Sequence, residues 1–244
     1  MGIGREESGV DLAVPVRQVA AGLVELTGPE GELLLSGSEA RAAFLPLTAN
    51  FETQKNQTYC GPTSIAMILN ALQVPAPIAT YDSHRIFTQE NVLNALTDSI
   101  ISERSVARRG MSLNKVAEVL RVYGVSVDTH YADASSVDEF RSLAVDSLSK
   151  PGRHVIVNFS RSALGQEGVG HISPLGAYDA DSDRFLILDV ARYKEPAFWV
   201  MTQKLFDAMA EPKKSSKGQT RGYLLIRGPS DLDPDDVSTA APPK

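Results

Sequence analysis

Residues 60–72 read Cys60-Gly-Pro-Thr-Ser-Ile-Ala-Met-Ile-Leu-Asn-Ala-Leu72, an apolar run that opens on the only cysteine of the chain. Ile65 and Leu69 fall on one helical face, and Pro62 suits the first turn of a helix, where a backbone N–H has no partner. The run therefore predicts a buried helix with Cys60 at its N-terminus. Free N–H groups and the helix dipole favour a thiolate at that position, so a nucleophilic role is favoured over a packing role.

The first half of the chain predicts further helices around this one. Thr88, Ser112 and Ser136 are suitable N-caps, each followed by apolar residues at helical spacing. Ser136 and Glu139 together have the spacing of a capping box, and Gly124 is suited to end the helix that begins after Ser112.

The second half predicts strands. Four runs are rich in β-branched and aromatic residues, namely 155–159, 171–178, 185–190 and 222–226. The polar stretch 179–183 predicts a turn, and therefore an antiparallel hairpin between 171–178 and 185–190. Helices followed by an antiparallel sheet predict the α+β class.

Composition limits the classes of function. The chain has 244 residues with 43% hydrophobic and 22% charged residues, which fits one folded domain. Its net charge of -6 argues against duplex nucleic acid as a partner. No apolar run approaches the roughly 18 residues of a membrane span. A single cysteine cannot form an internal disulfide or a cysteine-based zinc site.

The composition of the two ends of the sequence indicates the domain limits, and the N-terminal residues bear on the cellular location. We expect a flexible N-terminal arm over residues 1–24, a catalytic domain over 25–227 and a disordered acidic, proline-containing tail over 228–244. No secretory signal is visible, so we expect a cytoplasmic protein, or a periplasmic one if a signal peptide has been removed.

A nucleophilic cysteine needs a base and a group that orients the base. His171 follows three residues rich in glycine and opens a predicted strand, and Asp189 lies near the end of the next. Pairing of these strands would bring His171 and Asp189 together, and a strand carboxylate needs such a partner. Gln54, six residues before Cys60, could supply an amide N–H to an oxyanion together with the Cys60 backbone N–H.

These residues carry a family resemblance. The spacing of Gln54, Cys60, His171 and Asp189 resembles the papain-like cysteine peptidase superfamily. Longer strings, 51–61, 170–178 and 186–194, closely resemble the catalytic domain of phytochelatin synthases, with further matches at 110–113 and 220–223. The chain resembles the short prokaryotic form, because the cysteine-rich C-terminal region of the plant enzymes is absent. Pro62-Thr63-Ser64 departs from the family and is frequent in bacteriocin-type processing peptidases.

The resemblance implies a papain-like fold and a reaction on glutathione. Cys60 would attack the cysteinyl carbonyl, release glycine and form a γ-glutamylcysteinyl thioester, which water or a second glutathione then resolves. Short members resemble glutathione hydrolases with weaker synthase activity. The residues that the resemblance assigns to substrate binding are Asn158, Arg161, Gly170, Ile172 and Arg221. Lys213, Lys214 and Lys217 stand where the family tends to carry an acidic residue, which weakens the expectation of an acceptor-amine site there.

No ligand set for an intrinsic metal is visible, so cadmium or zinc is expected only as substrate thiolates or as activators. A homodimer is compatible with the sequence. Two alternatives stay open: a processing peptidase acting on double-glycine leader peptides, and an inactive binding module on the same fold.

Overall fold

The computed structural model describes residues 19–78, 83–212 and 220–229. Most of the predicted N-terminal arm, nearly all of the predicted tail and the three lysines at 213, 214 and 217 lie outside these residues. None of the described helices is both long enough and apolar enough to span a membrane.

The described residues form seven helices and seven strands. The helices are α1 (Pro29–Gly37), α2 (Phe44–Ala49), α3 (Cys60–Ala71), α4 (Glu103–Arg109), α5 (Leu113–Val122), α6 (Val137–Leu148) and α7 (Thr202–Ala210). The strands are β1 (Val24–Glu25), β2 (Ser126–Tyr131), β3 (Arg153–Ser160), β4 (Gly170–Asp179), β5 (Arg184–Ile187), β6 (Phe198–Met201) and β7 (Gly222–Arg227).

The strands form one antiparallel sheet in the order β1-β6-β5-β4-β3-β7-β2. The α+β class is therefore confirmed, although β2 lies between helices and α7 follows β6. Val24 pairs with Trp199, and Leu23 is buried, so the fold includes residues before the predicted boundary at 25.

The predicted hairpin of β4 and β5 is confirmed, with a register shift between Leu175 and Ala177. The predicted strand 185–190 is too long, because β5 ends at Ile187. Beyond it, the Ala191 N–H donates to the Asp189 side chain at 2.8 Å. The Ala191 N–H thus bonds to a side chain instead of to a neighbouring strand, and the chain leaves the sheet at this point.

Three of the four predicted helices are confirmed. Besides α3, the helix after Ser112 is α5, and the helix after Ser136 is α6, with each serine side chain accepting a backbone N–H at the start of its helix. Glu139 bonds to Ser135 instead of completing the capping box.

The helix predicted after Thr88 is wrong, because residues 89–100 form turns and bends. Asn91 and Asn94 cause the difference. The Asn91 side chain accepts the Thr88 N–H at 2.8 Å, and the Asn94 side chain accepts the Leu96 N–H at 2.9 Å. Asparagine side chains that bond to nearby backbone groups compete in this way with a helix. Leu96, in this segment, is 55% exposed.

Helix α3 forms the centre of the core. All residues from Cys60 to Leu69 are buried, and the helix packs against β4 on the sheet. This contact sets the N-terminus of α3 against the first residues of β4, where His171 lies.

Gly31 lies where α1 closely approaches the backbone of β1, so a substitution at Gly31 tests this contact. A β-carbon at Gly31 would lie 2.0 Å from the carbonyl oxygen of Glu25 in β1, whereas one at Gly37 in the same helix would meet only an Asp179 oxygen at 3.6 Å. We expect Gly31→Ala to lower the free energy of unfolding by roughly 1–3 kcal/mol, because overpacking shifts the backbone. Gly37→Ala, the control, is expected to be neutral or slightly stabilising. Urea unfolding measures both, and a stabilised Gly31→Ala would contradict the contact.

Candidate active site

Cys60 is the first residue of α3 and is 7% exposed. Burial alone would raise the pKa of its thiol. A hydrogen bond and the charge of His171, together with backbone hydrogen bonds at Ile172 and Gly61, outweigh burial, so the pKa is lowered. The position therefore favours a thiolate at the helix N-terminus, as the sequence predicted.

His171 lies between Cys60 and Asp189. Its Nε2 is 2.8 Å from Asp189 Oδ1, and because an ionised carboxylate only accepts, the Nε2 N–H is the donor. This leaves Nδ1 for Cys60. Burial lowers the pKa of His171, but the charge of Asp189 and the hydrogen bonds to Asp189 and Cys60 raise it overall. The lowered pKa of Cys60 and the raised pKa of His171 both favour a thiolate–imidazolium pair.

Asp189 is fully buried, and three groups donate to it. Besides His171, these are the Nη2 of Arg161, at 2.9 and 2.8 Å from the two carboxylate oxygens, and the backbone N–H of Ala191. Burial would raise the pKa of Asp189, but the charges of His171 and Arg161 and these hydrogen bonds lower it. Asp189 is therefore held as a carboxylate facing His171.

Arg161 was assigned to substrate binding in the sequence, but its guanidinium is engaged elsewhere. Nη2 binds Asp189, and Nη1 donates to Gln166 Oε1 at 2.8 Å. The side chain is 3% exposed. In this structure Arg161 therefore neutralises Asp189, a partner that the sequence analysis missed because 28 residues separate the two.

Ser173 is a second neighbour that the sequence analysis missed. Its Oγ lies 2.9 Å from His171 Nε2 and accepts the Val190 N–H at 3.3 Å. The alternation of β4 places Ser173 and His171 on one face of the sheet. The two-residue spacing in a predicted strand could have identified Ser173 as a neighbour of His171 from the sequence.

Gln54 is tied to the segment that follows Asp189. Its backbone N–H donates to the Val190 carbonyl at 2.9 Å, and its side-chain Nε2 donates to the Asn56 carbonyl and the Tyr193 hydroxyl. Gln54 is 3% exposed. The structure thus brings Gln54 to the same segment as Asp189, while its oxyanion role stays a prediction.

The other residues assigned to substrate binding lie at the same end of the sheet. Asn158 in β3 pairs with Ile172 in β4 and with Gly222 in β7, next to Arg221. Arg221 Nη1 donates to the Glu211 carbonyl at 2.9 Å. Its Nε and Nη2 lie 3.5 and 3.8 Å from the position of a β-carbon built on Gly170, beside His171. Arg221 therefore has guanidinium atoms beside Gly170, the residue before His171, whereas the Arg161 guanidinium is bound to Asp189.

Metal binding has no visible site in the part of the chain that the structure describes, because no group of three or more His, Cys, Asp or Glu side chains could hold an ion. The expectation that metals arrive with the substrate stays a prediction.

A family model described as phytochelatin synthase matches residues 14–223. The chain belongs to the phytochelatin synthase family. The match includes Cys60, His171, Asp189 and Gln54.

Curated relatives of this phytochelatin synthase family member are about one-third identical to it over the aligned residues. Glutathione gamma-glutamylcysteinyltransferase 3 of Lotus japonicus is 33% identical over 86% of the chain and 44% of its own length. Glutathione gamma-glutamylcysteinyltransferase 1 of Arabidopsis thaliana is 32% identical over 84% of the chain and 42% of its own length. The chain therefore spans less than half the length of these relatives.

Two solved structures match more distantly. A double glycine motif protease from an AMS/PCAT transporter, in complex with the leader peptide, has 14% identity and a TM-score of 0.42, covering 73% of this chain and 90% of its own. Xylellain, a cysteine protease from Xylella fastidiosa, has 13% identity and a TM-score of 0.38, covering 86% and 87%.

The thiolate–imidazolium pair predicts how Cys60 reacts with iodoacetamide. Because the pKa of Cys60 is lowered, alkylation should persist below pH 8.5, the pKa of an ordinary thiol. His171→Ala removes the largest stabilising partner and leaves burial, so alkylation at pH 7 should slow by roughly tenfold or more. Mass spectrometry measures the rate, since Cys60 is the only thiol. His84→Ala, at an exposed histidine, is the control. An unchanged rate in His171→Ala would show that the two side chains are not paired.

Asp189→Asn is expected to lower turnover more than substrate affinity, because Asp189 contacts the base. We expect kcat to fall by roughly 10²- to 10⁴-fold; in a serine protease, where the nucleophile is not already ionised, the corresponding change costs about 10⁴. Asp179→Asn, at another buried aspartate, at the far end of β4, is the control and should keep kcat per folded molecule. Unchanged kcat with a raised KM in Asp189→Asn would make Asp189 a binding residue.

Proposed function

We propose that this protein cleaves glutathione by cysteine-dependent acyl transfer, releasing glycine through a γ-glutamylcysteinyl thioester on Cys60. The observation that carries the proposal is the Cys60–His171–Asp189 arrangement within a chain of the phytochelatin synthase family. The names of the relatives, glutathione gamma-glutamylcysteinyltransferases, support glutathione as the substrate.

The first half of the reaction uses the paired thiolate and imidazolium. The Cys60 thiolate attacks the cysteinyl carbonyl of glutathione and forms a C–S bond. Collapse of the tetrahedral intermediate breaks the C–N bond to glycine, and the His171 imidazolium gives its proton to the leaving amine. Asp189 keeps the ring oriented through Nε2 in both protonation states.

The second half resolves the thioester. A water molecule, or the amine of a second glutathione, attacks the thioester carbonyl while His171, now neutral, takes the proton. The C–S bond breaks, and the Cys60 thiolate is regenerated beside the imidazolium. Water yields γ-glutamylcysteine, and glutathione yields a phytochelatin with two γ-glutamylcysteine units.

Oxyanion stabilisation and substrate recognition complete the proposal. The Cys60 backbone N–H would donate to the oxyanion, and the Gln54 amide would do so by releasing the Asn56 carbonyl or the Tyr193 hydroxyl. Arg221 is better placed than Arg161 for a substrate carboxylate, because the Arg161 guanidinium is bound to Asp189. Arg161 would serve the substrate only by leaving that buried carboxylate.

Hydrolysis is proposed as the main outcome. Transfer needs a second site that holds the acceptor amine near the thioester, since positioning supplies most of the advantage over abundant water. The lysines at 213, 214 and 217, which lie outside the described residues, replace the acidic residue of the family pattern.

No intrinsic cofactor is proposed, and cadmium or zinc would enter as glutathione thiolates. A cytoplasmic location, as expected from the sequence, is part of the proposal.

The proposal predicts the distribution of thiol products. With low-millimolar glutathione, γ-glutamylcysteine should be the main product and the two-unit phytochelatin a minor one. Cadmium should raise the minor product without being required for glycine release. Chromatography of the thiols with and without cadmium measures this, and long oligomers forming rapidly would show an efficient acceptor site.

Cys60→Ala is the control for these measurements and should release no glycine while keeping the circular dichroism spectrum of the parent. Mass spectrometry of the parent should detect a γ-glutamylcysteinyl adduct on Cys60. Cleavage of a double-glycine leader peptide without reaction on glutathione would favour the processing-peptidase alternative. No reaction with either would favour the binding module.

A further inference from the structure

The backbone carbonyl of Ile172 lies on the edge of β4 that faces β5. The Leu188 N–H donates to the Pro174 carbonyl at 3.0 Å, and carbonyls two residues apart point to the same side of a strand. A continued antiparallel ladder would therefore bring the Val190 N–H to the Ile172 carbonyl. The Val190 N–H instead donates to the Ser173 side chain at 3.3 Å. The Ile172 carbonyl thus loses the partner that a longer β5 would have supplied.

Ser64 supplies a replacement from helix α3. Its hydroxyl donates to the Ile172 carbonyl at 3.3 Å, and the residue is fully buried. A serine or threonine inside a helix can bond back to the carbonyl four residues earlier, as the adjacent Thr63 does with Tyr59 at 2.8 Å. Ser64 connects the helix to the sheet instead. A hydrogen bond from α3 therefore takes the place of a ladder bond at this edge of β4.

Ile172 also contacts the nucleophile. A backbone hydrogen bond from Ile172 contributes to the lowered pKa of the Cys60 thiol. Cys60 and Ser64 are four residues apart in α3, so their side chains lie on the same face of the helix. The first turn of α3 is therefore joined to Ile172 at two points, the Cys60 sulfur and the Ser64 hydroxyl.

The ionisable groups that act on the Cys60 thiol come from three parts of the sheet. His171 of β4 bonds to Cys60, Asp189 after β5 bonds to His171, and Arg161 at the end of β3 bonds to Asp189. Ser64 is uncharged and bonds to a backbone carbonyl, so replacing it leaves these charges unchanged. Any effect of Ser64 on the thiol must therefore come from geometry.

We propose that Ser64 is a positioning residue that fixes the N-terminus of α3 against β4 and so holds the Cys60 sulfur at the Ile172 N–H and at His171. The proposal rests on the nucleophilic role that Cys60 has under the proposed function. A hydrogen bond weakens steeply when its distance or angle departs from the optimum. Without the Ser64 hydroxyl, the apolar packing of α3 on the sheet remains, but the first turn loses a fixed point beside the sulfur.

The test compares the pH profile of iodoacetamide alkylation of Cys60 in Ser64→Ala and in the parent protein. Alanine is a better helix former than serine, so the variant should keep α3. We expect the midpoint of its profile to shift to higher pH. At each pH below the parent's midpoint, alkylation should be roughly three- to tenfold slower, the effect of about one net hydrogen bond. Where the thiol is fully ionised, both proteins should react at the same rate, because the substitution changes ionisation and not access.

Ser38→Ala is the matched control. Ser38 is also a buried serine whose hydroxyl donates to a backbone carbonyl, that of Leu34 at 2.7 Å, but it lies at the end of α1. Its replacement should leave the pH profile unchanged. Ser64→Thr keeps the hydroxyl and adds a methyl group, so it should keep the parent's profile even where overpacking lowers its stability. Circular dichroism and urea unfolding measure the folded state of each variant.

An unchanged midpoint in folded Ser64→Ala would overturn the proposal. Equal slowing at every pH would also overturn it, because that result indicates restricted access to the thiol. A shifted midpoint in Ser38→Ala or in Ser64→Thr would show that the effect does not belong to the Ser64 hydroxyl. Alkylation needs no substrate, so expected profiles in a parent that releases no glycine from glutathione would overturn only the proposed function.

Discussion

The active site depends on the burial of one carboxylate. Asp189 has no exposed surface, and an isolated buried carboxylate is strongly destabilising unless it is paired and hydrogen-bonded. Three donors meet this requirement, from His171, Arg161 and the Ala191 backbone. Each comes from a different part of the chain, so keeping Asp189 ionised requires β4, the end of β3 and the segment after β5 to be in place together.

The pKa shifts of His171 and Cys60 depend on the charge of this carboxylate. Its charge raises the pKa of the buried His171 against the effect of burial, and the imidazolium in turn helps to lower the pKa of Cys60. The N-terminus of α3 contributes in the same direction. Arg161 opposes part of this effect, because its positive charge disfavours protonation of His171. Arg161 therefore favours the ionised form of Asp189 but lowers the pKa of His171.

Residues 189–193, which follow the end of β5, contact the catalytic residues. The sequence predicted a strand through residue 190, but β5 stops at Ile187. The backbone N–H groups of Val190 and Ala191 then bond to side chains, and the Val190 carbonyl accepts the Gln54 N–H. In a continued strand, these backbone groups would pair with a neighbouring strand. The departure from regular structure is thus what allows one segment to contact His171, Ser173 and Gln54.

The amino-acid sequence by itself determined the α+β class, the buried helix beginning at Cys60, the β4–β5 hairpin and the candidates Cys60, His171, Asp189 and Gln54. These features depend on local periodicity, caps, turn residues and short motifs. The tertiary structure alone decided where β5 ends, that Arg161 binds Asp189 instead of facing solvent or substrate, and that Ser173 and Tyr193 contact His171 and Gln54. It also replaced the helix predicted after Thr88 by turns. Local patterns cannot determine these features, because a side chain's partner depends on which distant segments the fold brings within hydrogen-bond distance, and Gln54 and Tyr193 are 139 residues apart.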